Sequence, residues 1–182
     1  MAGLERDGIS VIMVRAPVVY GPGDRDLLPL FRVVRRGWAP LPAGDEREVD
    51  LIFATDLARA IARAAGPRND AVPTGTYAVA DPTRHSWSAA LRAMGDALGS
   101  RPRLVRMPVA LFKLAGALSE AGGRLAGRAV PLNRDKAREM VASGWACDVS
   151  GSECLLPADE VTSLSAGMRQ TVKWYRDQRW LS

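Results

Sequence analysis

Residues 9–14 read Ile-Ser-Val-Ile-Met-Val, a short and nearly continuous apolar run rich in β-branched side chains, set between Gly8 and Pro17. A run of this length without polar alternation suits a strand buried on both faces of a parallel sheet. Pro17, Gly21, Pro22 and Gly23 follow, and they forbid a helix and force an ordered loop at the strand's carboxyl end. In open α/β sheets that end is where ligands sit. A parallel strand also needs crossover connections, so this segment constrains the remaining chain to alternate strands and helices.

The rest of the sequence supplies such elements. Residues 1–7 read as the end of a helix closed by Gly8. Residues 27–36 carry apolar side chains at 27, 30, 31 and 34 against arginines at 32, 35 and 36, an amphipathic helix stopped by Gly37. Pro40, Pro42 and Gly44 predict a loop, and 49–54 a second short strand. Thr55 or Asp56 then caps a helix over 57–65. Residues 66–75 are the most linker-like stretch. Beyond them the pattern predicts a strand over 76–80, a helix over 87–98 capped by Ser86 and stopped by Gly99, and a strand over 103–107. Further helices are expected over 108–125, over 133–142, and from Ser163 or Ser165 to 178.

The first segment continues as Arg15-Ala-Pro-Val-Val-Tyr20-Gly-Pro-Gly-Asp24. Downstream come Asp50-Leu-Ile-Phe-Ala-Thr-Asp56-Leu-Ala, then Thr76-Tyr-Ala-Val-Ala80 with Ser86-Trp87. Gly144-Trp-Ala-Cys-Asp148 and Gly167, Thr171, Trp174, Tyr175 and Trp180 lie near the end. In this order the pieces resemble the extended short-chain dehydrogenase/reductases, also called NAD-dependent epimerase/dehydratases. The resemblance implies an α/β fold: the C-terminal portion of a Rossmann-type, doubly wound sheet plus a small mixed α+β substrate-binding lobe. Residues 1–66 would be the end of the Rossmann domain with an interleaved lobe segment, and 67–182 mainly the lobe. It implies NAD or NADP as cofactor, with Ala16, Pro17 and Val18 beside the nicotinamide. Val19, Arg25 and Arg47 are the matching candidates for substrate contact.

Two features of the family's chemistry have no counterpart in these 182 residues. There is no Gly-x-x-Gly-x-x-Gly turn after a strand, the device that brings backbone amides to a pyrophosphate. Tyr20, Tyr77 and Tyr175 are followed four residues on by Asp24, Asp81 and Arg179, so no Tyr-x-x-x-Lys pair exists. The glycine cluster at 122–127 follows a helical pattern, where it reads as a helix end and not as a phosphate loop. No catalytic residue and no metal ligand is therefore assigned. Whether the chain is an enzyme stays open between two readings: part of an NAD(P)-dependent oxidoreductase or epimerase, and a non-catalytic binding or assembly module built on the same fold. The substrate class is constrained by Val49, where sugar-nucleotide members place an arginine for a phosphate, and by Val18, where they often place an asparagine. Both point to a small or apolar carbonyl or hydroxyl substrate.

Charge and composition bear on partners. A net charge of +5 and a pI near 9.8 invite a nucleic-acid reading, but the basic residues alternate with acids, as at 5–7, 45–48 and 134–139, so no nucleic acid is expected. Two cysteines, Cys147 and Cys154, are too few and too far apart for a metal knuckle, and no secretory signal is recognised, so a reducing cytoplasm is the expectation. The apolar stretch 109–118 is interrupted by Lys113 and too short to span a bilayer; an interfacial helix there stays open. His85, the sole histidine, reads as a surface or capping residue, and Trp145, Trp174 and Trp180 as packing anchors. Expected partners are a small-molecule substrate, and either the Rossmann half absent from this sequence or a second copy in a homodimer.

Overall fold

The computed structural model describes residues 11–43, 48–66, 72–108, 110, 111, 114 and 147–181. Its first strand, β1 (Ile12–Arg15), steps at Ala16–Pro17 into β2 (Val18–Tyr20). Helix α1 (Leu28–Arg35) and strands β3 (Trp38–Pro42), β4 (Glu48–Val49) and β5 (Leu51–Phe53) follow, then α2 (Ala54–Ala64) and β6 (Gly75–Ala78). Strand β7 (His85–Ser86), α3 (Trp87–Leu98) and β8 (Arg103–Met107) complete the middle, and α4 (Leu164–Asp177) closes the described chain. Three strand pairs are parallel: β1 with β6, β2 with β5, and β3 with β8; β4 and β7 pair antiparallel. This is the α/β class expected.

Pro17 marks a fork. Beyond β6, the Val79 amide donates to the Arg15 carbonyl at 2.9 Å and the Asp81 amide to the Leu51 carbonyl at 2.8 Å. The chain leaving β6 thus passes from the edge of β1 to that of β5, while the Ala16–Pro17 step carries the first strand onto β5 from the other side. Residues 51–53 are all buried, and they alternate. Leu51 and Phe53 join a large core with Phe31, Val34, Leu91, Met94, Met168, Val172 and Tyr175, whereas Ile52 joins a smaller one with Ala60, Val79, Leu155 and Leu156. Both cores draw on residues from either side of position 66.

Several expectations need correction. The first strand is not buried on both faces: Ile12 and Val14 lean on the smaller core, but Met13 is 43% exposed and Arg15 is exposed. Residues 40 and 42 lie in a strand, not a loop. The Arg103 amide donates to the Gly37 carbonyl and the Ala43 amide to that of Met107, so odd-numbered residues of β3 bond to β8 and the prolines occupy positions whose amides point away. Proline is tolerated in a strand on those terms. The stretch 49–54 divides at Asp50 into β4 and β5, and α2 starts at Ala54 with Phe53 at its cap position and no side-chain cap. Asp56 instead accepts from the Thr162 amide at 2.7 Å and the Thr162 hydroxyl at 2.9 Å, with the Arg59 guanidinium 3.1 Å away. Gly21, at φ +152°, lets the loop after β2 lie against this helix start, since a Cβ there would stand 2.9 Å from that of Ala54.

Where the signals are local, the expected elements are found. The Ser86 hydroxyl accepts from the Ala89 amide at 3.2 Å, and Gly99 ends α3 in the left-handed region at φ 73°. A 3₁₀ turn, Ala158–Glu160, was not foreseen, and the end of the last helix at Asp177 falls one residue short of the expectation. The helices expected over 1–7 and 133–142, and most of that over 108–125, lie outside the described residues, as do Trp145 and the glycine cluster.

Because Ile52 fills the smaller core from a strand shared by both, Ile52→Ala should cost about 2–5 kcal/mol of stability. Met13→Ala, at a half-open position, should cost well under half of that. Urea unfolding followed by circular dichroism measures both.

Candidate functional site

The candidate ligand face lies where β1 turns into β2. Ala16 is exposed, and Pro17 and Val18 are half-buried, with Val18 resting on the large core beneath Tyr20. Val19 points to the opposite face and is 39% exposed. The four residues form an apolar lip that carries no ionisable group, so what it offers a ligand is shape, apolar contact and backbone polar groups.

The loop that follows is pinned to α4. The Asp24 carboxylate accepts from the Asp26 amide at 2.7 Å and, at 3.3 Å, from that of Leu27, which leads into α1. The Tyr175 hydroxyl donates to the Asp24 carbonyl at 2.6 Å, and its ring meets Phe31 edge-on at 5.2 Å and stacks on Trp180 at 5.9 Å. Arg25 places its guanidinium 5.0 Å from the centre of the Trp180 ring, a cation–π contact worth about 0.5–1 kcal/mol at an exposed site. Trp174 and Trp180 thus pack against the large core as anchors. Arg47 lies outside the described residues.

Neither core tyrosine is set up to trade protons. The Tyr20 ring lies so close to Gly167 that a Cβ there would collide with it. Burial, then the charges of Asp81 and Asp56, push its phenol well above the ordinary range; Tyr175 is raised in the same way by burial and then Asp24. Both stay neutral at any physiological pH.

Around the fork sit groups that sequence reasoning did not bring together. Asp50 is buried and accepts a hydrogen bond from the Cys147 amide. The Cys147 thiol is pushed up by burial and then by Asp50, against a smaller opposing effect of Arg15. His85 is neither a cap nor a surface residue: its Nε2 lies 2.9 Å from the Asp81 carboxylate, both side chains being largely covered, and Ser86 does the capping. The four-residue spacing of Asp81 and His85 was visible, but it identifies a pair only on a helix, and these two flank a turn. Among the described residues no group of three or more His, Cys, Asp or Glu side chains is placed to hold a metal ion, and no helix is long and apolar enough to cross a membrane.

The order of elements and the loop at the end of a parallel strand define a Rossmann-type α/β fold shared with the NAD-dependent epimerases and dehydratases. The chain superposes on UDP-N-acetylglucosamine 4-epimerase from Bacillus cereus with a TM-score of 0.65 and 14% identity, over 96% of this chain and 51% of that one. UDP-glucuronic acid 4-epimerase from the same organism, solved with UDP-glucuronic acid and NAD, gives 0.61 and 15% over 97% and 48%. In sequence, the chain is 29% identical over 175 residues to a ceramide reductase of Caulobacter vibrioides, covering 94% of this chain and 53% of that protein. No family model matches. The chain spans about half the length of the proteins it resembles.

The two thiols should differ in reactivity. Cys154 is exposed, while Cys147 is partly covered and its raised pKa leaves less thiolate at a given pH. Iodoacetamide at neutral pH, read by peptide mass spectrometry, should label Cys154 first, and Cys147 should catch up only as the pH rises beyond the ordinary thiol range. Faster labelling of Cys147 would contradict its position against Asp50.

Proposed function

We propose that this chain supplies the substrate lobe and the nicotinamide-side loop of an NAD(P)-dependent oxidoreductase of the extended short-chain dehydrogenase/reductase type, acting on an apolar carbonyl or hydroxyl compound. The carrying observation is the lip at 16–19. It lies at the carboxyl end of a parallel strand, where such folds bind ligands, and it is apolar throughout. Val49 supports the same substrate class: it is fully buried in the large core opposite His85. A phosphate-pairing arginine there would be an unpaired buried charge, which costs several kcal/mol. The relative that is a ceramide reductase supports an apolar substrate over a sugar nucleotide.

In this reading Ala16, Pro17 and Val18 face the nicotinamide of NAD or NADP, while Val19 touches the substrate. Arg25, held over Trp180, and Arg47 border its polar end. Residues 1–66 belong with the Rossmann part and 67–182 mainly with the lobe. The pyrophosphate-binding turn and the tyrosine–lysine pair come from a Rossmann half outside these 182 residues, and the protein works in the cytoplasm. One observation favours a second reading, a non-catalytic module: none of Tyr20, Tyr77 and Tyr175 is followed four residues on by lysine, so these 182 residues hold no Tyr-x-x-x-Lys pair.

The 182-residue chain by itself should oxidise no NAD(P)H with apolar ketones or sugar nucleotides, because a missing acid–base group is worth roughly 10²–10⁴-fold in rate. Calorimetry should show no saturable heat with NAD or NADP. Joined at β1 behind the N-terminal half of the reductase relative, it should reduce long-chain ketones in preference to UDP-sugars. A folded chimera that turns over only UDP-sugars would overturn the substrate class, and one that turns over nothing would favour the non-catalytic module.

A further inference from the structure

Helices α3 and α4 pack against each other on the large core and leave an open trough of about 400 Å³ where their outer faces meet. Ala89, Ala93 and Ala97, spaced one turn apart along α3, line it together with Arg92 and Asp96 of the same helix and Arg169 of α4. The alanines are half-buried and the three charged residues are exposed, so small side chains form the floor and charges the edges. Among the described residues none of the three charged side chains makes a hydrogen bond or ion pair. Arg92 and Asp96 stand four residues apart, the spacing at which Lys173 and Asp177 on α4 do pair, at 2.7 Å. The trough thus presents unpaired charges of both signs beside a strip of alanines.

The mixture of signs decides what fits. A polyanion would set like charge against Asp96, and a basic segment would set it against Arg92 and Arg169. A small ligand would keep much of its surface in water between such exposed edges, whereas binding pockets bury most of theirs. A helix that carries acid and base in the reverse order satisfies both signs, and alanines let it come close. Helix α3 run antiparallel to itself is such a helix. With a twofold axis beside Ala93, Ala89 faces Ala97 of the partner subunit, and Arg92 comes within one helical turn of the partner subunit's Asp96; the symmetry forms each contact twice. We propose that the chain self-associates through this trough, α3 packing antiparallel on the α3 of a second copy, with Arg169 left in water at the rim. The trough lies over the large core, whereas β1 leans on the smaller one. This contact is therefore separate from any pairing along β1, and it does not depend on the choice of substrate.

Sedimentation equilibrium of the whole chain tests it. The chain should pass from monomer to dimer as concentration rises, less readily at high salt. Reversing one sign acts at both symmetry-related contacts, so Asp96→Arg or Arg92→Asp should weaken dimerisation roughly tenfold to a hundredfold. The double variant, Arg92→Asp with Asp96→Arg, restores opposite signs in exchanged places and should dimerise at least about tenfold more tightly than either single variant. These positions are exposed, and an unchanged circular dichroism spectrum shows that the variants fold. A chain that stays monomeric into the millimolar range, a dimer indifferent to the single substitutions, as pairing along β1 would give, or a double variant as weak as the singles would overturn it.

Discussion

Three residues, Leu51, Ile52 and Phe53, bear on both cores at once. As a strand between β2 and the chain leaving β6, they must alternate, and every side chain on either face must be apolar. That requirement explains why the segment is so short and so hydrophobic, and why α2 begins immediately after it: the strand has delivered its chain to the edge of both cores and has nowhere further to run. The step at Pro17 follows from the same geometry, because β1 must yield its place beside β6 for β5 to enter.

The candidate ligand face inherits its rigidity from this arrangement. The lip at 16–19 is held beneath by Val18 and Tyr20 on the large core, and the loop beyond it is tied to α4 through Tyr175, Trp180 and Arg25. Asp56 does the same for the other side, joining the start of α2 to Thr162 ahead of α4. Residues that look chemical in the sequence, Tyr20, Asp56 and Tyr175, are spent on holding the loop and helices in register. The side chains of the lip itself, Ala16 to Val19, are all apolar.

The sequence disclosed those parts that depend on neighbours in the chain. Helix α3 was legible with both its ends because a serine cap and a left-handed glycine act within four residues, and β8 was legible as an uninterrupted run. Strand β3 was not, since prolines signal a loop until the parity of its bonds to β8 is known. The partner of Asp56 lies 106 residues away, and the pairing of Asp81 with His85 depends on how the turn between them folds.

The chain spans about half the length of the proteins it resembles, and among the described residues its first strand keeps one open edge. The Gly75 amide bonds to the Val11 carbonyl and that of Val79 to Arg15, so Met13 and Arg15 turn their polar groups to β6 while Ile12 and Val14 turn theirs outward. Residue-resolved hydrogen exchange on the isolated chain reads this directly. The amides of Met13 and Arg15 should be protected and those of Ile12 and Val14 should exchange much faster. Equal protection at all four in a monomer would show that the edge is already closed within these residues, and the reading of the chain as half of a larger sheet would fail.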